Sequence, residues 1–370
     1  MKINLLLLTL LLTLLLTTFA SAQEKSDTLK MDWEAYDPPS TLVVPENPIS
    51  HAKFPFVDVH SHHWRMAEQD LDLLIRQMDT MNMQVVVNLS GRGGERLKAM
   101  ADNIKKYGHE DRIILFTNIE LRSIDAPDWT EETIKQIEYD HRNGARGLKI
   151  YKSQGMTNQD SSGNRIAIDD PRIDLIWAKC GELGMPVLIH SADPKPFWQP
   201  HDENNERWLE LKTHPRRKRS ADDPASWETI IGEQHHIIKK HPNTKFIAAH
   251  MGWYPNDLQK LGELLDEMPN MYVEIGAVIA ELGRQPRMAN RFFKKYQDRV
   301  LFGKDSYKPE EYPTYFRVLE SDDEYFPYYK RYHAFWKMYG LDLPDEVLEK
   351  LYYKNALKLI KGIDASMWEK

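Results

Sequence analysis

Short apolar runs alternate with amphipathic stretches from residue 51 to the end of the chain. The runs FPFVDVH (54–60), QVVVNL (84–89), RIILFTNI (112–119), ARGLKIY (145–151), PVLIH (186–190), KFIAAH (245–250), MYVEIG (271–276) and RVLFGKD (299–305) predict eight strands. Each is followed by residues that are apolar at spacings of three and four, which predicts a helix. Pro255-Asn256-Asp257 predicts a helix start with Pro255 in the first turn and Leu258, Leu261, Leu264 and Leu265 on the buried face. Pro344 predicts the start of the last helix, with Val347, Leu348, Leu351 and Leu359 on one face and Gly362 at its end. Strict alternation implies a parallel sheet. An open doubly wound sheet would usually carry a Gly-rich phosphate loop after its first strand, and none follows here. The pattern predicts an α/β chain that forms a single-domain (β/α)8 TIM barrel over 51–370.

The first 22 residues have another pattern: Lys2 in a short start, an apolar stretch to Phe19, and small residues at Ala20 and Ala22 before Gln23. This predicts a signal peptide cleaved near Ala22 and export to the periplasm or the exterior, with no membrane attachment after cleavage. An uncleaved anchor is the alternative reading. Residues 23–50 are polar and proline-dotted and predict an extended arm. Composition adds little to this: 41% hydrophobic, 28% charged and 11% aromatic residues are ordinary for a globular chain. A net charge of −7 argues against nucleic acid as a partner. One cysteine, Cys180, excludes an intrachain disulfide and a Cys-based zinc site.

The candidate chemistry sits at the strand ends. The first predicted strand ends His60-Ser61-His62-His63, the fifth at His190, the sixth at His250 and the eighth at Asp305. Alternation places Asp58, His60 and His62 on one face and Val57 and Val59 on the other, with the polar face turned into the barrel. In a barrel the C-terminal strand ends converge at the mouth. Imidazoles and a carboxylate gathered there make a site for Zn²⁺ or Mn²⁺.

The ordered set His60-Ser61-His62, His190, His250 and Phe302-Gly303-Lys304-Asp305 resembles the amidohydrolase superfamily, and within it the aminocarboxymuconate-semialdehyde decarboxylase-like branch. The resemblance spans about 51–362. It implies one divalent metal, Zn²⁺ first and Mn²⁺ as the alternative, held by His60, His62, His190 and Asp305, with His250 beside the metal-bound water or substrate. Asp305 and His250 become the catalytic pair. Lys304 departs from the pattern, since a small residue usually precedes the aspartate; by parity it points away from the interior. Lys149 and Tyr151, near the end of the fourth predicted strand, face inwards. In binuclear members a lysine there is carbamylated and bridges two metals. Here the expectation is one metal, with Lys149 and Tyr151 contacting substrate.

The expected reaction is hydrolysis of an ester, lactone or amide of a small organic acid by a metal-activated water. The alternatives are non-oxidative decarboxylation on the same scaffold and a non-catalytic ligand-binding barrel. From His190 to His250 is 60 residues, about twice the roughly 30 of a simple βα unit. The excess carries Trp198, Arg207, Trp208 and a basic run, Arg216-Arg217-Lys218-Arg219. Arg284 and Arg287 follow the seventh predicted strand. Trp198, Arg207 and Arg284 are the candidate contacts to a small anionic substrate, with a salt bridge from Arg284 to Glu281 as the plainer alternative for that residue. The aromatics from Tyr328 to Tyr339 would wall the mouth or form a contact in a homo-oligomer.

Overall fold

The computed structural model describes residues 32–220, 223 and 225–368. The expected signal peptide and the first part of the arm, to residue 31, lie outside the described residues. Residues 1–43 and 44–370 are separate units, and the first contributes one short 3-10 turn, Trp33–Ala35. Among the described residues no helix is long and apolar enough to cross a membrane.

All eight predicted strands form: β1 (Phe56–Ser61), β2 (Met83–Asn88), β3 (Ile113–Thr117), β4 (Ala145–Ile150), β5 (Val187–Ile189), β6 (Phe246–Ala248), β7 (Met271–Glu274) and β8 (Val300–Leu301). They pair in parallel in sequence order. The seam between β8 and β1 is closed by hydrogen bonds from Val59 N to Phe302 O at 3.0 Å and from Asp305 N to His60 O at 2.7 Å. The chain is a (β/α)8 barrel.

Two predicted details change. Val57 and Val59 belong to the cluster inside the barrel, with Val85, Phe116, Leu188 and Leu301. Asp58 points the other way and accepts from Tyr312 Oη at 2.6 Å. The β1–β2 register shifts between Asp58 and Ser61, and such an irregularity changes the face on which later residues emerge. This is how His60 reaches the mouth although Val59 also faces inwards. The helix after β6 runs Leu258–Glu267 and is capped by Asp257, whose Oδ1 accepts from Lys260 N at 3.0 Å. Pro255 therefore lies before the cap and not in the first turn; the four leucines are buried as expected.

The last helix starts after Pro344 but is broken by a π turn, Lys350–Lys354, between Asp345–Glu349 and Asn355–Leu359. At the π turn the Leu351 carbonyl accepts from Phe302 N at 2.9 Å, which ties the helix to the end of β8. After β8 an antiparallel ribbon forms between β9 (Phe326–Pro327) and β10 (Lys337–Met338).

Candidate metal centre

His60 and Asp305 meet across the seam. His60 Nε2 is 3.4 Å from Asp305 Oδ1, and His62 Nε2 is 3.9 Å from the same oxygen. The His60 and His250 rings are 5.1 Å apart, and those of His190 and His250 4.3 Å. The sequence-predicted histidines and Asp305 are thus brought to one place. Two groups of ligand-type atoms lie within 4.8 Å of one another: His60, His62 and Asp305, and His60, His250 and Glu274.

Glu274 was not singled out by the sequence. It is fully buried at the end of β7. Its Oε1 accepts from His60 Nδ1 at 2.9 Å and from His250 N at 2.7 Å, and its Oε2 from Gly276 N at 2.5 Å. The one signal for it is a lone carboxylate inside the apolar run Met271-Tyr272-Val273-Glu274-Ile275.

These partners fix the tautomers. With Nδ1 donating to Glu274, the neutral His60 ring presents the Nε2 lone pair to the site. His62 Nδ1 is 2.8 Å from Ser90 Oγ, which is 3.2 Å from Tyr151 Oη, and Tyr151 donates to Leu89 O at 3.1 Å. The arrangement that satisfies every group has His62 donating to Ser90 and Ser90 to Tyr151, so His62 Nε2 also keeps its lone pair. His250 Nδ1 donates to Gly276 O at 2.7 Å, which leaves His250 Nε2 as an acceptor 3.2 Å from His190 Nδ1. His190 Nε2 is buried and has no partner. Left to themselves these nitrogens cannot all be satisfied, and a divalent cation supplies the missing partner. The donor set fits one.

The electrostatics agree. Burial first, then the Lys149 charge, holds His60 well below its ordinary value, and His62 falls to about 4 for the same two reasons. Burial followed by the neighbouring His250 does the same to His190. Neutral imidazole is the form that binds a metal. Burial alone would raise Asp305, but His60, His250, His62 and Lys149 outweigh it and keep the carboxyl below the usual range. Lys149 is buried, with Nζ 3.5 Å from His60 Nε2, and burial pushes it down to about 8 against the pull of Asp305 and Glu274.

The backbone is strained here. His250, Met251, Gly252 and Trp253 all have positive φ, from 55° to 61°, and Asp305 has φ 85°. L-residues adopt this region at a cost, and such strain gathers at functional sites. Only Gly252 advertises it in the sequence.

The other sequence candidates lie elsewhere. Lys304 does point away from the interior, but it is buried and ion-paired to Glu311. Arg207 is buried among Glu210, at 2.7 Å, and Glu281, with Trp336 facing it at 4.8 Å. Arg284 pairs with Glu206 at 2.8 Å and lies 3.7 Å from the Trp336 ring centre; it does not pair with Glu281. The two arginines have separate ion-pair partners and meet on the Trp336 ring, next to β10, and among the described residues neither pairs with the histidine cluster. Trp198 donates to Ala225 O at 2.8 Å, and Trp208 stacks on His201, so both pack within their own loop.

Fold and site together define a barrel with a divalent-metal centre at its mouth. The chain belongs to the amidohydrolase family: the Amidohydrolase family model matches residues 120–361, more than half of its length. Among curated proteins none matches. Solved structures share the fold. A dihydroxybenzoic acid decarboxylase from Polaromonas sp. JS666, with bound manganese and the inhibitor 2-nitroresorcinol, has a TM-score of 0.55 at 13% identity over 85% of this chain and 98% of its own. A 2,6-dihydroxybenzoate decarboxylase from Rhizobium has a TM-score of 0.51 at 14% identity, over 83% and 98%. An uncharacterized TIM-barrel protein from Bordetella bronchiseptica has 0.50 at 15% identity, over 83% and 99%.

Proposed function

We propose that the chain is a metal-dependent hydrolase acting on an ester, lactone or amide of a small organic acid. The observation that carries this reading is the Asp305 carboxylate, 36% exposed, with Oδ1 3.4 Å from His60 Nε2 and 3.9 Å from His62 Nε2. His60, His62, His190 and Asp305 would hold the metal. A divalent cation there supplies Lewis acidity and lowers the pKa of water towards neutrality. Asp305 accepts a proton at its carboxylate and returns it to the leaving group. His250 is held by Gly276 O and Glu274, and once its Nε2 takes up a proton the fixed ring donates to the oxygen that gains charge without reorganising. Lys149 holds the substrate's acid, and the Tyr151 ring packs beside it against His62.

Decarboxylation of an aromatic acid is the second reading, favoured by the shared fold of two dihydroxybenzoate decarboxylases. One experiment separates them: metal analysis, then turnover in ¹⁸O-water of a lactone, aryl-ester and anilide panel alongside hydroxybenzoates. Hydrolysis puts ¹⁸O into the acid product; decarboxylation releases CO₂ with no label in the aromatic product. We expect about one metal per chain, lost in His190→Ala and retained in His250→Ala with turnover gone. A parent protein that holds no metal, or in which His250→Ala alone empties the site, refutes this division of roles.

A further inference from the structure

A cavity of about 830 Å³ lies away from the arginines that the sequence singled out. It opens beside the histidine cluster on the side of β2, β3 and β4. Lys149 and Tyr151 form its inner end, and the Tyr151 ring stacks on His62 at 5.8 Å. A molecule that reaches the cluster from this side fills the cavity with its remainder.

Arg92, Arg96 and Arg122 line that remainder. Arg92 comes from the loop Gly91-Arg92-Gly93-Gly94 that follows β2. It is held at φ 61° by Asn118, whose Oδ1 accepts from Arg92 N at 2.9 Å, and its guanidinium lies 4.6 Å from the Trp64 ring centre. Trp64 in turn stacks on His62 at 5.6 Å. Gly91 and Gly93 are required by packing: a Cβ on either would overlap the Phe116 carbonyl or the Gln136 amide. Arg96 and Arg122 are exposed, and among the described residues neither has an ion-pair partner. The acidic residues facing them are Glu95, already hydrogen-bonded by Tyr139 at 2.6 Å, and Glu120. With Lys149 the cavity carries four cations against two carboxylates.

A second observation points to a ligand. Gln154 is 2% exposed and lines this cavity, yet its Nε2 has no hydrogen-bond partner. A buried donor left unpaired is unfavourable, so an acceptor is expected opposite it. The helix Glu95–Tyr107 also begins here, on Gly94 with no side-chain cap, which leaves its N-terminal amides to an anion.

We propose that this lobe binds a second acidic group, so that the substrate is an elongated dianion. One acid lies at the histidine cluster with Lys149, and the other lies among Arg96, Arg122 and the Gln154 amide. The proposal rests on the reading of the histidine cluster as the reacting centre. Arg92, over Trp64, lines the passage between the two ends. Carboxylate and phosphate present the same acceptors to guanidinium, so either would serve as the distal acid.

The test is calorimetric, on metal-loaded protein, with three probes: cinnamate, 4-carboxycinnamate and 4-(phosphonooxy)cinnamate. The second acid should tighten binding at least tenfold, and the probe with the larger gain identifies the distal group. In the double variant Arg96→Ala, Arg122→Ala, both exposed positions, the diacid-to-monoacid affinity ratio should fall to about one with Tm unchanged. No gain from the second acid in either probe, or a gain untouched by the double substitution, overturns the proposal. His60→Ala separates it from the reading beneath: a ratio that survives while metal is lost locates the acid lobe independently of the metal site. Metal content and turnover then judge that site alone.

Discussion

The Glu274 carboxylate accepts from three donors, the His60 ring and the amides of His250 and Gly276, and has no exposure. Glu274→Gln keeps the shape but turns one acceptor into a donor, so a buried donor then faces another. That mismatch costs about 1–3 kcal/mol, and loss of a partner that orients a metal-binding histidine lowers metal affinity by roughly 10–100-fold. Urea unfolding and metal-buffered titration of the variant should show both losses. Unchanged metal affinity would make Glu274 a structural residue only. The histidines were legible in the sequence because an imidazole ending an apolar strand has few other reasons to be there. Glu274 was not, because a single carboxylate in a strand also fits a solvent-facing position. Arg207 and Arg284 misled for a different reason. Arg207 has a local partner in Glu210, but its second partner Glu281 and the Arg284 partner Glu206 are 74 and 78 residues away, and no local pattern shows those pairings. Arg92 had a local signal, an arginine among glycines after a strand, but its significance depends on the cavity it enters.

At the scale of elements, β8 is only two residues long, and its exit is held from several sides. Asp58 Oδ1 accepts from His60 N at 3.0 Å and from Lys304 N at 3.1 Å, so one buried side chain spans the seam. Burial pushes Asp58 up to about 7, against the donors Tyr312, His60 and Lys304. Gly303 lies between the two metal-ligand strands: a Cβ there would overlap the Glu274 carboxylate and come within 3.0 Å of His60 Cβ. Gly303→Ala should therefore destabilise the fold by about 1–3 kcal/mol and reduce metal occupancy. Gly232, exposed in the helix Trp227–Lys240 with nothing within 4 Å of an added Cβ, is the control. Gly232→Ala should raise stability by about 0.5–1 kcal/mol. Urea midpoints and metal content for the pair check this, and equal effects would mean that the Gly303 packing does not matter. The strands were predictable because each is an apolar run bounded by turns. The register shift in β1 was not, because alternation carries no mark of a skipped position. The π turn was hidden as well: Leu351 continues the apolar face, and only β8 reveals where its carbonyl goes.

Over the whole molecule, buried imidazoles couple stability to pH. His62 and His63 are each held near 4 by burial, and His235 also falls to about 4, while His60 and His190 lie well below their ordinary value of 6.5. Above pH 6.5 these groups are neutral in both the folded and the unfolded chain. Between 6.5 and about 4 the unfolded chain takes up protons that the folded chain refuses. The unfolded state then binds more protons, so stability falls as pH falls through that window, by about 1.4 kcal/mol per pH for each proton held by the unfolded chain alone. A divalent ion on the same ring nitrogens meets no competition from protons in this window, because the folded rings are already neutral. At a hundredfold excess over its Kd, a bound metal adds about 2.7 kcal/mol. Urea unfolding at pH 7.5, 6 and 5, with metal and after chelation, should show two trends. Both midpoints drop, and the gap between them stays constant down to about pH 5, because the folded rings do not titrate in that range. A gap that already narrows between pH 7.5 and 6 would mean that the folded rings take up protons in competition with the metal, and a flat midpoint in the chelated protein would mean that they are not neutral in the fold.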